Sequence, residues 1–306
     1  MNKNFQSYLY AICAVSIWGT TFAFSKFFIP EYLNFYTFSM IRLILGTSTL
    51  FSYLIISRQL RKWLIIFKKK IKLITLTGIL FLGGSYILQY LGITYTTAIN
   101  QSIISNTQTF WLIFFSFLIF KRKPDKKFIP GAVFAFFGVM LIILNNEFKI
   151  SSETILGDII SIFAFISWGL YSLLAKELNA DESKETSIYI TSSLLLLATI
   201  SIFPVSIYFG LIDHITKLPL NLWPLMIYLG VIAIGLTFLL WNLALSNKNI
   251  NPENIVIITM LNPVIGIITS IILLGEQFTL KVFFGSILVL SSVFFVNYDF
   301  RKSKKR

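Results

Sequence analysis

Charge is what this chain has least of. Only 13% of its 306 residues are Asp, Glu, Lys or Arg, while 56% are hydrophobic. Soluble domains carry about 25% charged residues, so this composition cannot clothe a water-exposed surface. Its mean hydropathy is +0.79. Cysteine is almost missing: Cys13, the one thiol, can form no disulfide within the chain and suggests no metal site. Histidine is equally scarce, and His214 in "LIDHITKL" reads as a solvated loop residue. No Ser-His-Asp set, metal-ligand cluster, phosphate-binding glycine loop or nucleotide motif appears. An intramembrane enzyme acting on lipid-linked substrates would need His or carboxylates clustered at an accessible depth. The expectation is therefore no enzyme, no cofactor and no metal. All 13 carboxylates fall in loops or at the ends of apolar runs. The usual intramembrane seat of a coupling proton or sodium ion is thus missing. That favours exchange, uniport or coupling through the substrate itself.

What the chain has in plenty is long apolar runs. A helix of about 20 apolar residues crosses a hydrocarbon core about 30 Å thick, and in lipid only helices or closed barrels satisfy their backbone. The runs here are continuous rather than alternating, which predicts helices. Ten spans are expected at 8–28, 34–56, 72–93, 98–120, 128–145, 157–176, 187–210, 222–245, 254–274 and 279–298. The first starts after Lys3 but lacks a small-residue cleavage site and is read as a retained helix. The fold class is an all-α polytopic membrane protein.

The basic residues set its orientation, because Lys and Arg on short loops mark the cytoplasmic side. With the N-terminus inside, the cytoplasmic segments hold 21 of them, in Lys3, 58–72, 121–127, Lys176, Lys184, Lys248 and the tail "RKSKKR". The opposite side holds four: Lys26, Lys149, Lys217 and Lys281. Both termini are expected in the cytoplasm, with the chain in a bacterial-type plasma (inner) membrane. The net charge of +13 is then a topology signal that also favours anionic headgroups, and it points to no nucleic-acid partner.

A phrase is written twice. "SIWGTTFAFSK" (16–26) returns as "SWGLYSLLAK" (167–176), each pairing Trp-Gly with a lysine seven positions after the Gly. Further matches follow in order. Gly84 falls opposite Gly235, Tyr90 opposite Trp241, and "NQSIISNTQTFW" (100–111) opposite "NIVIITMLNPVI" (254–265). Residues 1–147 and 148–306 are thus two five-helix repeats, and because five is odd the second must be inverted. Inverted repeats are a hallmark of secondary transporters, whose sites lie near the midplane at the repeat seam. Thr109 is the first-half counterpart of Pro263, so a hinge at Pro263 is expected to be asymmetric.

The chain resembles the EamA-type branch of the drug/metabolite transporter superfamily. The resemblance rests on the ten spans in two units, the early Trp-Gly motifs and Arg42 in "FYTFSMIRLILG". It rests also on "LNPVIGIITSIILLGEQFTLKVFFGSILVLSS" (261–292), and it covers the whole chain. It implies that spans one, three, four, six, eight and nine surround a central cavity. The residues that this would place on the pathway are Trp18, Tyr86, Gln89, Asn106, Trp168, Tyr171, Trp241 and Asn262. Ser102, Ser105, Asn106 and Thr109 share one helical face, as do Thr259, Asn262, Gly266 and Thr269. Ser, Thr and Gly at such places also serve helix packing. Three cations stand apart. Arg42 is either a tie to neighbouring carbonyls or an anchor for a substrate carboxylate. Lys26 and Lys176 either snorkel to headgroups or stand at the two gates. The expected function is secondary transport of a small metabolite such as an amino acid, exported by alternating access. Uptake or exchange, drug efflux and a non-transporting scaffold are the rival readings.

Overall fold

The computed structural model describes residues 3–124, 126–143, 152–179, 183–245 and 257–297, and among them every regular element is helical. Seven helices are long and apolar enough to cross a membrane. They are α1 (Phe5–Phe28), α2 (Phe35–Ile56), α4 (Ile71–Tyr95), α5 (Ala98–Phe120), α7 (Thr154–Leu178), α8 (Glu185–Tyr208) and α10 (Leu220–Ala244). Three shorter apolar helices, α6 (Phe128–Ile142), α11 (Leu261–Leu274) and α12 (Leu280–Phe295), complete the set. The spans expected at 128–145, 254–274 and 279–298 each run beyond the described residues. Two short helices lie in connections, α3 (Leu60–Lys69) and α9 (Leu211–Lys217). The basic stretch 58–72, expected as a loop, is therefore mostly helical, and His214 sits on a helix rather than in a loop.

Local chemistry sets several helix starts. Asn34, Thr97 and Ser183 hold extended backbone and accept a hydrogen bond from the amide three residues on, so each caps a helix. Midway, α4 and α10 each widen into a π-helical stretch, at Thr77–Gly83 and Tyr228–Leu236. Such stretches cluster at functional sites, and here they occupy corresponding places in the two halves.

Packing follows the same correspondence. α1 lies on α11 and α7 on α5, α2 on α10 and α8 on α4, α1 on α10 and α7 on α4, while α6 pairs with α12. Small residues permit these approaches. At the α6–α12 crossing, a Cβ on Gly138 would lie 2.8 Å from the Gly285 carbonyl, and one on Gly285 would lie 2.7 Å from the Gly138 carbonyl. Neither backbone can yield alone. Gly138→Ala is expected to cost about 1–3 kcal/mol, seen as a lower unfolding temperature of the detergent-purified protein.

Pro263 does not itself break α11. Pro263 occupies the first turn of α11, where a missing amide is tolerated. A 3₁₀ segment, Ile257–Met260, precedes it. The first half carries its own 3₁₀ segment, Ser105–Thr107, at the corresponding level with no proline at all. The irregularity is shared by both halves, because side chains that bond back to carbonyls also loosen a helix. Ser105 donates to the Ser102 carbonyl and Thr107 to that of Ile104.

Candidate functional site

The repeated Trp-Gly motifs sit at two equivalent seams. On α1, a Cβ at Gly19 would meet Ile265 at 2.7 Å and the Asn262 carbonyl at 2.9 Å. On α7, a Cβ at Gly169 would meet Trp111 at 2.7 Å and the Gln108 carbonyl at 3.1 Å. Asn262 and Ile265 follow Gln108 and Trp111 by the same 154 residues, so one contact is built twice. Between the seams α5 touches α11, where Gly266 packs on Ser102.

Each tryptophan enters an aromatic group. The Trp18 ring lies 5.5 Å from Trp241 and 5.6 Å from Phe238. The Trp168 ring lies 5.7 Å from Tyr86 and 5.4 Å from Tyr171. Tyr86 continues to Tyr90 at 5.9 Å. Six of the eight residues expected on the pathway thus fall into these groups or beside them: Trp18, Trp241 and Asn262 at one seam, Tyr86, Trp168 and Tyr171 at the other. Asn106 is buried on α5 and donates to the Ser102 carbonyl at 3.3 Å. Gln89 is half-buried, and its carbonyl accepts the side-chain amide of Gln101.

Two buried polar atoms at the seams have no hydrogen-bond partner, the Asn262 Oδ1 acceptor and the Trp111 Nε1 donor. Buried polar groups are normally paired, and these two residues lie at the two Trp-Gly contacts, Asn262 against Gly19 and Trp111 against Gly169. In the sequence Trp111 reads equally as an interfacial aromatic or as a pathway residue. Its position opposite Gly169 was the available signal, and it becomes visible only once α5 is docked on α7.

The cations differ sharply in their surroundings. Arg42 is 4% exposed. Its Nε donates to the Leu229 carbonyl at 3.2 Å, and one terminal nitrogen reaches the Ser25 and Tyr90 hydroxyls. Its guanidinium carbon lies 5.4 Å from both the Phe38 and the Tyr90 ring centres. Lys26 is half-buried and donates to the Ile93 and Thr94 carbonyls at 2.9 and 3.2 Å. Lys176, its repeat counterpart, is exposed. Beside it, Glu177 takes both terminal nitrogens of Arg122.

Two carboxylates gain a setting that their place in the chain does not convey. Glu276 accepts from the amides of Ala98 and Ile99 at 2.8 and 2.9 Å, holding the start of α5. Burial raises its carboxyl above the ordinary range, although those amides and Lys26 pull the other way. Asp158 lies near a helix end, as expected, yet it is completely buried, accepting from Thr96 and Asn100.

Seven helices long and apolar enough to cross a bilayer define the class: an integral, multi-pass membrane protein. A model of the EamA-like transporter family matches residues 6–144 and again 155–298, and the chain belongs to that family. It is 25% identical over 297 residues to an "Uncharacterized transporter" of Archaeoglobus fulgidus, covering 95% of this chain and 97% of that one. A "Probable amino-acid metabolite efflux pump" of Escherichia coli is 20% identical over 207 residues, 66% of this chain and 68% of that protein. A solved crystal structure shares the fold at a TM-score of 0.59 with 13% identity, covering 94% of each chain.

Proposed function

We propose that the protein is a secondary carrier that exports a small amphipathic metabolite of amino-acid type by alternating access between two inverted five-helix repeats. One observation carries the substrate class: the unpartnered acceptor of Asn262, a residue at the Gly19 contact, and the unpartnered donor of Trp111, a residue at the Gly169 contact. An ammonium suits the first, a carboxylate or carbonyl the second, and the rings take an apolar side chain. A purely apolar drug would leave both atoms unpaired, at a cost of about 1–3 kcal/mol each. The double family match supports the repeat, as do the paired π-helical stretches and the twice-built Trp-Gly contact. The efflux pump of Escherichia coli supports export. The excess of basic residues on one set of connections supports cytoplasmic termini in an inner membrane.

Protein in liposomes should exchange labelled amino acids across a broad panel, and cells producing it should release them faster. Flux of lipophilic cations with none of amino acids would overturn the substrate class. Accumulation instead of release would overturn the direction. Folded protein with no flux at all would overturn the carrier reading.

A further inference from the structure

The junction between α4 and α5 is gripped by three ionisable groups from distant parts of the chain. Lys26 ends α1 and holds the Ile93 and Thr94 carbonyls. Glu276, between α11 and α12, holds the Ala98 and Ile99 amides. Asp158, near the start of α7, accepts the Thr96 hydroxyl and, at 3.1 Å, the side-chain amide of Asn100. Gly157 lets α7 seat directly on this junction, since a Cβ there would lie 2.5 Å from the Thr96 nitrogen.

Asp158 is 0% exposed and both its donors are neutral. Among the described residues no cation pairs with it. The charged groups at the junction are Lys26 and Glu276, each engaged with backbone groups of other residues. An ionised carboxylate in such a place loses more hydration than neutral donors return, whereas the neutral acid is cheap to bury. Asn100 serves either form. Its NH₂ donates to a carboxylate, and after a half-turn its carbonyl accepts from a carboxylic acid.

The geometry points to Asp158 as a proton-binding site, filled as the α4–α5 junction seats on α7 and emptied when the junction lifts and water reaches the carboxylate. This rests on the carrier reading, in which the junction closes one mouth of the pathway. The sign follows from burial: the closed mouth holds the proton and the open mouth releases it, so closure strengthens as the pH at that face falls. The repeat position matching Asp158, 150 residues earlier, is Tyr8, so the linkage belongs to one mouth only.

Electron–electron distance measurements on the full chain in lipid nanodiscs test this directly. Spin labels go on Tyr95→Cys and Phe278→Cys, both exposed in the native chain, in a Cys13→Ser background. From about pH 8 to about pH 5 the short-distance population should grow, with the closed-to-open ratio rising by up to about tenfold per pH unit for one linked proton. Asp158→Asn, permanently neutral, should keep the short population throughout. Glu276→Gln neutralises the other carboxylate at the junction and should leave the pH dependence in place. A wild-type distribution unchanged with pH overturns the site, as does Asp158→Asn titrating like wild type. Loss of the pH dependence in Glu276→Gln does the same, even where Asp158→Asn fails to fold. No substrate enters the measurement, so its failure and failure of the substrate reading are told apart.

Discussion

Arg42→Leu is expected to cost the protein about 2–4 kcal/mol of stability, and transport should fall with it. The leucine leaves the Leu229 carbonyl and the Ser25 and Tyr90 hydroxyls facing one another without the donor they share. It also removes a guanidinium set against two aromatic rings. Cation–π contacts contribute about 0.5–2 kcal/mol each, and hydrogen bonds to a charged group about 1.5–3. Against this stands the desolvation of a buried guanidinium, which leucine relieves. The net loss stays well below the sum for that reason. Arg42→Lys separates the two roles open for this residue. Lysine keeps the charge but lacks the planar fork that joins α2, α10, α1 and α4. If Arg42 is a tie, thermal unfolding in detergent drops for lysine as well as leucine. If it anchors a substrate carboxylate, lysine keeps the unfolding temperature and raises KM.

The second large effect is expected at the seams. Asn262→Leu removes the orphan acceptor and adds apolar bulk, while Trp111→Phe removes the orphan donor and leaves a smaller ring. Each should lower flux in proteoliposomes by at least about tenfold, equivalent to about 1.4 kcal/mol of lost substrate interaction. Folding should hold or improve, because each change also removes an unpaired buried polar atom. That combination, weaker transport with equal or higher stability, distinguishes a binding group from a packing group. A parallel fall in unfolding temperature would assign both residues to packing. Trp168→Ala should impair transport too, through the contact of its ring with Tyr86 and Tyr171.

The two Trp-Gly motifs were legible because their message is local: adjacent residues on one helix, repeated at one spacing, fall at the same depth of two helices. The burial of the two stretches agrees at every position from 16–21 and 166–171, with Gly19 and Gly169 buried and Trp18 and Trp168 half-buried. Arg42 was legible for the same reason, since a cation inside an apolar run must find partners. Lys26 and Lys176 looked equivalent in the sequence and are not. One reaches carbonyls that α4 brings to it, and the other meets solvent. Asp158 is the sharpest case. Its position four residues into α7 reads as a solvated helix end, and its burial comes from Thr96 and Asn100, about 60 residues earlier.

By itself, then, the sequence determined that this chain is helical, lies in a membrane, and carries one motif at two matching places. Those properties follow from composition, run length and spacing, which act along the chain. Only the tertiary structure decided which polar groups are paired and which are orphaned. It set Trp111 beside Gly169, gave Glu276 the amides of α5, and sealed Asp158 under the α4–α5 junction. Pairing and desolvation depend on what the rest of the chain brings within about 3 Å of an atom, and no pattern along one helix contains that information.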